Sequence, residues 1–219
     1  LNRQRASGSG AQGGGAGYVI ENSLRFNSAD SAKLLWTPSA AATDGQKYTI
    51  SFWLKIVDPT PTNLATLIDG GGSNIFMMSG TSGAVSHDDT GFSLAASTEL
   101  YRDPTAWGHW CISYNNTADT FTIFYNGVQI RQDATSSSAS DALWMKNATA
   151  LAIGANRTGI RYFDGYIAEF VSLDGIASSD ATEFGKYDSN GNWVPIDPSG
   201  LGSAATGNAV ITNTANDSD

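Results

Sequence analysis

Cysteine and histidine are almost missing from this chain of 219 residues, with one Cys and two His. A single thiol, Cys111, excludes an intrachain disulfide framework and any cysteine-based zinc cluster. It lies inside an alternating apolar stretch, where a small buried thiol is expected. His87 and His109 form no His-Glu-x-x-His spacing, and no Gly-x-Ser-x-Gly is present, so neither a metalloenzyme nor a serine hydrolase is supported. His109 is expected to cap or pack at a strand start. Charge is sparse at 15%, with 12 Lys and Arg against 21 Asp and Glu, a net charge of −9. That balance argues against nucleic acid or an anionic membrane as partner, because phosphate contacts need clustered bases. No run approaches the ~20 apolar residues of a membrane-spanning helix, and nothing resembles a signal peptide. The chain opens on Leu1 rather than Met, so the lack of a leader says little about location.

What is abundant is glycine (24 residues) and aromatic side chains (6 Trp, 8 Tyr, 9 Phe), within a 41% hydrophobic composition. This suits a β-rich core with many tight turns. The run Trp107-Gly-His-Trp-Cys-Ile-Ser-Tyr114 alternates in the strand period, with Trp110, Ile112 and Tyr114 on one face. Phe121, Ile123 and Tyr125 repeat the pattern. Asn126-Gly127 then provides the dipeptide of a type I′ turn, and Val128–Ile130 resumes the strand. Lys47–Ile56 alternates as cleanly, until Asp58-Pro-Thr-Pro61 stops it. Shorter strands are predicted at Ser23–Phe26, Lys33–Trp36, Ala65–Ile68, Ile75–Met78, Phe92–Ala95 and Ala150–Ile153, with a strong one at Gly165–Leu173. A brief helix or turn is expected at Ser178–Tyr187, with Ser179 or Asp180 as its N-cap. Ten or more short strands without a long amphipathic helix predict an all-β protein, an antiparallel β-sandwich or jelly roll.

Residues 1–17 form a Gly-, Ser- and Ala-rich arm that cannot bury apolar surface by itself. Ordering such a chain requires a partner, and a neighbouring subunit is the simplest one. The body is expected to run over residues 18–195, followed by an extended tail over 196–219. The Ser- and Ala-rich stretch Ala134–Asp141 reads as a loop.

Leu24-Arg-Phe26, Ile50-Ser-Phe-Trp-Leu-Lys55, Trp107-Gly-His-Trp110, Phe124-Tyr-Asn-Gly-Val128, Leu151-Ala-Ile-Gly154 and Phe163-Asp-Gly-Tyr-Ile-Ala-Glu-Phe170 together resemble the concanavalin A-like, laminin-G-type jelly roll. The likeness covers roughly residues 20–187. Ser23–Ala32, Tyr101-Arg-Asp-Pro-Thr-Ala-Trp107 and the stretch Asp164–Pro195 are more specifically similar to laminin-G-like domains of bacteriophage tail-fibre and related virion proteins. The most diagnostic elements are Leu173-Asp-Gly-Ile-Ala177, Glu183-Phe-Gly-Lys-Tyr-Asp188 and Gly191-Asn-Trp-Val-Pro195. The resemblance implies a non-enzymatic structural protein of the virion, an extracellular particle. It would be a tail-fibre or adhesin module contacting host-surface glycan, assembled as a homo-oligomer with other virion subunits. The alternative is a capsid decoration or head-fibre protein that cements the particle through its terminal arms.

A glycosidase needs two carboxylates flanking the scissile bond. The chain has only four glutamates, none with a carboxylate two residues away. Glu169 is the best lone acid, but Asp164 stands five positions upstream, which regular pairing sends to the opposite face. Catalysis is therefore not expected. Nor is a cofactor, although lectins of this fold often bind calcium through rim oxygens. Asp88 and Asp89 in a loop are the first place to look for it, and Asp69–Asn74 the second. Lectin-like sites stack an aromatic ring on a sugar face while polar groups take its hydroxyls. The loop-placed residues that fit are Tyr101, Trp107, Trp144, Asn156, Arg157 and Tyr162. Trp53, Trp107 and Trp144 fall off the inward register or in loops, as wedges under long connections or as exposed anchors, with core or staple packing the favoured expectation. Sequons at Asn115, Asn147, Asn156 and Asn216 are about as many as chance gives, and imply no glycosylation.

Overall fold

The computed structural model describes residues 17–37, 42, 44–61, 64–70, 74–78, 84–89, 92–94, 99–135, 150–203 and 209–210. Its strands are β1 (Leu24–Phe26), β2 (Leu34–Trp36), β3 (Lys47–Ile56), β4 (Ala65–Asp69), β5 (Asn74–Met78), β6 (Val85–Asp89) and β7 (Phe92–Leu94). The second half adds β8 (Gly108–Asn115), β9 (Thr120–Tyr125), β10 (Val128–Asp133), β11 (Leu151–Ile153) and β12 (Gly165–Asp174). Three short strands close the chain: β13 (Gly185–Tyr187), β14 (Trp193–Pro195) and β15 (Ala209–Val210). A large antiparallel sheet runs in the order β1-β12-β3-β8-β9-β10, with β15 also paired to β12. A smaller sheet runs β2-β11-β4-β5-β6-β7. This is the β-sandwich expected from the sequence.

The alternation that predicts the strands also builds the space between the sheets. Tyr48, Ile50, Phe52 and Leu54 from β3 meet Trp110, Ile112 and Tyr114 from β8, and Leu67, Ile75, Phe76 and Met78 from the small sheet. The Tyr48 and Tyr114 rings stack at 5.1 Å between centroids, and Phe76 stands edge-on to Trp110 at 5.0 Å. The Asn126-Gly127 turn takes the positive φ values expected of it, 48° and 79°, and connects β9 to β10 through two residues.

A second core lies on the outer face of the large sheet, where the sequence leads to an expectation of burial at Cys111 and Trp53 but not of a continuous core. Trp53, Cys111, Phe124, Ala168, Val171 and Leu173 project there and are covered by Ala181, Phe184 and Trp193 of the C-terminal segment and by Ile20. Trp53 is a core residue, 2% exposed, in keeping with the packing expected for it rather than with an exposed anchor. The segment crosses the sheet as a strap. It turns at Ala181–Phe184, with Asp180 Oδ1 accepting the Thr182 N–H at 2.8 Å, and then forms the β13–β14 hairpin, which replaces the second half of the predicted helix or turn. Gly185 and Gly127 are glycines because the Trp193 indole lies directly on both; a β-carbon would sit 2.5 Å and 2.3 Å from it.

Two further expectations change. Val85–Asp89 is strand β6, paired with β7, so the backbone of Asp88 and Asp89 is in a ladder rather than a loop. The chain beyond residue 195 is not simply extended: Pro198–Ser203 forms a 3-10 turn, and Ala209–Val210 pairs with Val171 and Ser172. Residues 1–16, the stretch 136–149 with Trp144 and Asn147, and residues 211–219 with Asn216 lie outside the described residues.

Candidate functional site

Three connections gather at one end of the sandwich. Residues 27–33 join β1 to β2, 57–64 join β3 to β4, and 154–164 join β11 to β12. The register shows that β8 also starts here, because Leu54 pairs with Gly108 where Ile56 pairs with Gly165. Residues 99–107, which lead into β8, therefore reach the same end. Of the six predicted contact residues, this end holds Tyr101, Trp107, Asn156, Arg157 and Tyr162.

On the outer face of the large sheet, just beyond the strap, a row of side chains crosses neighbouring strands. Arg25 pairs with Tyr166 and Tyr166 with Lys55, and Trp107 lies one residue before β8 on the neighbouring strand. The Trp107 and Tyr166 rings lie 6.4 Å apart and are half-buried. The Arg25 guanidinium sits 5.2 Å from the Tyr166 ring centre. Arg25 is fixed by an ion pair to Asp164 at 2.6 Å and by donation to the Gly165 carbonyl at 3.3 Å. Asp164 also accepts from the Ser28 hydroxyl at 3.0 Å. The result is a pair of rings tilted 58° to each other on the sheet, flanked by the cations Arg25 and Lys55.

The other predicted residues play different parts. Tyr101 is a half-buried wedge between Trp110 and Tyr125, with centroids at 4.5 Å and 4.9 Å, and burial pushes its hydroxyl pKa up to about 12. Asn156 shapes its own loop: its Oδ1 accepts from Thr158 Oγ1 and from the Ile160 N–H, both at 2.9 Å. Arg157 is exposed, and its backbone N–H donates to Asp69 Oδ2 at 3.2 Å. Tyr162 is half-buried beside Gly159. Asp69, from the second calcium loop considered, is itself the buried end of β4. Among the described residues no group of three or more His, Cys, Asp or Glu side chains is arranged to hold a metal.

Sequence reasoning missed Arg25, Lys55 and Tyr166. The signal lay in phase: in Gly165-Tyr-Ile-Ala168 a tyrosine occupies the solvent side of a strand and faces a lysine in the next.

The acid considered for catalysis is engaged elsewhere. A β-bulge between Ala168 and Val171 sets two residues, Glu169 and Phe170, opposite Phe52, and puts Glu169 at φ 48°. The bulge sends Phe170 into the core and leaves Glu169 with both oxygens accepting from the Tyr18 hydroxyl at 2.8 Å. Burial holds the Glu169 carboxyl above its ordinary range. Asp164 shares none of these partners, being held by Arg25 and Ser28. His109 is buried under Phe184 and Trp193, and its Nε2 meets Ser51 Oγ at 2.8 Å; burial alone brings its pKa down to about 3. Cys111 is fully buried beside it, which pushes its thiol far up.

The chain belongs to the concanavalin A-like lectin/glucanases superfamily, whose laminin-G-type family model matches residues 27–181. No characterised protein sequence matches it significantly. Among solved structures, a candidate carbohydrate-binding protein from Bacteroides ovatus superposes with a TM-score of 0.56 at 16% identity, covering 81% of this chain and 47% of that one. The enzymatically active domain of tailspike protein 2 from bacteriophage CBA120 superposes with a TM-score of 0.52 at 14% identity, covering 73% of this chain and 26% of that one. At these identities the likeness is one of fold, a lectin-like sandwich. The chain spans less than half the length of either protein.

Proposed function

We propose that this protein is a non-catalytic glycan-binding domain of a bacteriophage particle, a tail-fibre or adhesin module that contacts the host surface. The observation that carries the binding reading is the Trp107–Tyr166 pair, two half-exposed rings tilted to each other on a sheet and flanked by Arg25 and Lys55. Apolar sugar faces stack on such rings while hydroxyls take hydrogen bonds from neighbouring polar groups. The non-catalytic reading is supported by the acids considered for it: Glu169 is tied to Tyr18 and Asp164 to Arg25, so these two do not form an acid–base pair. The phage context is supported by the resemblance of Ser23–Ala32, Tyr101–Trp107 and Asp164–Pro195 to virion laminin-G-like domains. In that setting the terminal arms join the domain to neighbouring subunits, and the loop end faces outward.

The test is incubation of the purified protein with an array of bacterial surface glycans, followed by assay for released reducing ends. Saturable binding without sugar release is expected. No binding to any glycan, or progressive hydrolysis, contradicts the reading.

A further inference from the structure

We infer that Arg25 and Asp164 are positioning residues of the ring pair: together they fix Tyr166 against Trp107 and so decide which ring surface a glycan can stack on. This rests on the glycan-binding reading and names what controls that site. Arg25, Tyr166, Lys55 and Trp107 stand in one row across β1, β12, β3 and the residue before β8. Tyr166 therefore has Arg25 on one side and, across the Lys55 position, the Trp107 indole on the other. Its own hydroxyl makes no hydrogen bond among the described residues. A ring standing on a sheet surface with its hydroxyl free changes rotamer readily. Its orientation is then set by what packs against it, the guanidinium at 5.2 Å and the indole at 6.4 Å, tilted by 58°.

The guanidinium is itself held at two points. Its Nη2 lies 2.6 Å from Asp164 Oδ1, and its Nη1 donates to the Gly165 carbonyl at 3.3 Å. Asp164 is fixed in turn through its backbone and its side chain. Its carbonyl accepts from the Val57 N–H at 3.0 Å, and its Oδ2 accepts from the Ser28 hydroxyl at 3.0 Å. Ser28 opens the 3-10 turn Ser28–Asp30, which Asn27 caps by accepting the Ala29 N–H at 3.2 Å. A chain of contacts thus runs from the β1–β2 connection through Asp164 and Arg25 to the Tyr166 ring. A planar fork can reach two acceptors while lying against an aromatic ring; an ammonium cannot hold that arrangement.

Side-chain exposures of 37% for Arg25 and 22% for Asp164 make this an open ion pair, of the kind that adds little to stability. Its effect is on geometry. The guanidinium lies over the Tyr166 ring by cation–π attraction and takes that face. The Trp107 indole is left as the main stacking surface, and Tyr166 becomes the wall that sets the approach to it. Asp164 makes its side-chain polar contacts with Arg25 and Ser28, so its influence on the rings passes through Arg25.

The experiment compares the full chain with Asp164→Asn, Arg25→Met and Arg25→Lys, by aromatic and indole NMR without sugar and by titration on the array of bacterial surface glycans. Asp164→Asn and Arg25→Met should each shift the Tyr166 ring and Trp107 indole signals, with Tm changed by no more than a few degrees. Each should weaken the array glycan that wild type binds best by about fivefold. The two changes combined should cost no more than Arg25→Met alone, since they break one chain of contacts. Arg25→Lys keeps the charge but should behave as Arg25→Met does. Ser28→Ala, the mildest change, should move the same ring signals less, and it carries the test if Asp164→Asn does not fold. Unmoved ring signals in Asp164→Asn and in Ser28→Ala overturn the inference. Full affinity in Arg25→Lys does so too, because the charge would then act on the sugar directly. Equal binding by all variants rejects the positioning role and keeps the glycan reading. Ring signals that move as expected in a protein that binds no array glycan reject the glycan reading and leave the positioning of Tyr166 standing.

Discussion

His109 has one polar contact, the Ser51 hydroxyl, and its other neighbours are the rings of Trp53, Phe184 and Trp193. A charged imidazolium has no counter-ion there, so burial brings its pKa from 6.5 down to about 3. The folded state thus resists a proton that the unfolded chain accepts. Stability contributed by neutral His109 is complete above the unfolded pKa and is lost as pH falls from 6.5 towards 3. Between pH ~6.5 and ~4.5 this residue alone should remove about 2 kcal/mol. Urea unfolding of the wild type and of His109→Gln at both pH values checks it, with the variant showing the shallower loss. Glu169 works in the opposite direction. Its carboxyl is held up by burial, so ionisation costs stability as pH rises past its folded pKa. Glu169→Gln keeps an oxygen for the Tyr18 hydroxyl and should raise Tm at neutral pH, with no gain at pH ~3, where the native carboxyl is already protonated. A lower Tm at neutral pH would show that the charged form is the stabilising one.

At the scale of elements, the strap explains most of what the sequence concealed. The strands of the sandwich were legible because Tyr48, Ile50, Phe52 and Leu54 alternate with the period of a half-buried sheet. Trp53, Cys111 and Phe124 stand in the opposite phase, of which only Trp53 reads as off-register, although apolar residues in both phases are the mark of a sheet covered on both faces. The missing cover was Phe184 and Trp193, 60 residues or more from Phe124, Cys111 and Trp53 in the same cluster. Pattern reading over short windows cannot join such distant segments. The bulge at Glu169 was hidden for a related reason, since strict alternation carries no sign of an inserted residue until Phe170 and Val171 exchange faces. Gly185 tests the strap directly. A methyl group there collides with the Trp193 indole, so Gly185→Ala should cost roughly 1–3 kcal/mol and loosen residues 175–201 first. Limited proteolysis with tryptophan fluorescence reads this as earlier cleavage in the strap and a red shift, ahead of any loss of the sandwich.

For the molecule as a whole, the two faces of the large sheet have separate duties. One builds the core between the sheets; the other is partly covered by the strap, which leaves the row Arg25, Tyr166, Lys55 and Trp107 uncovered at the loop end. Trp107 and the loop Asn156–Tyr162 were legible as parts of that end because rings and polar groups stood in turn-rich sequence. Tyr166 and Arg25 were not, because only the pairing of β1 with β12 brings them together. The central claim, that this face binds glycan, is tested most directly by calorimetric titration of the best array glycan into wild type and into the Trp107→Ala/Tyr166→Ala double variant, with Tm measured alongside. The account predicts at least a tenfold loss of affinity, about 1.4 kcal/mol, with Tm changed by no more than a few degrees. Full affinity in the double variant would contradict it.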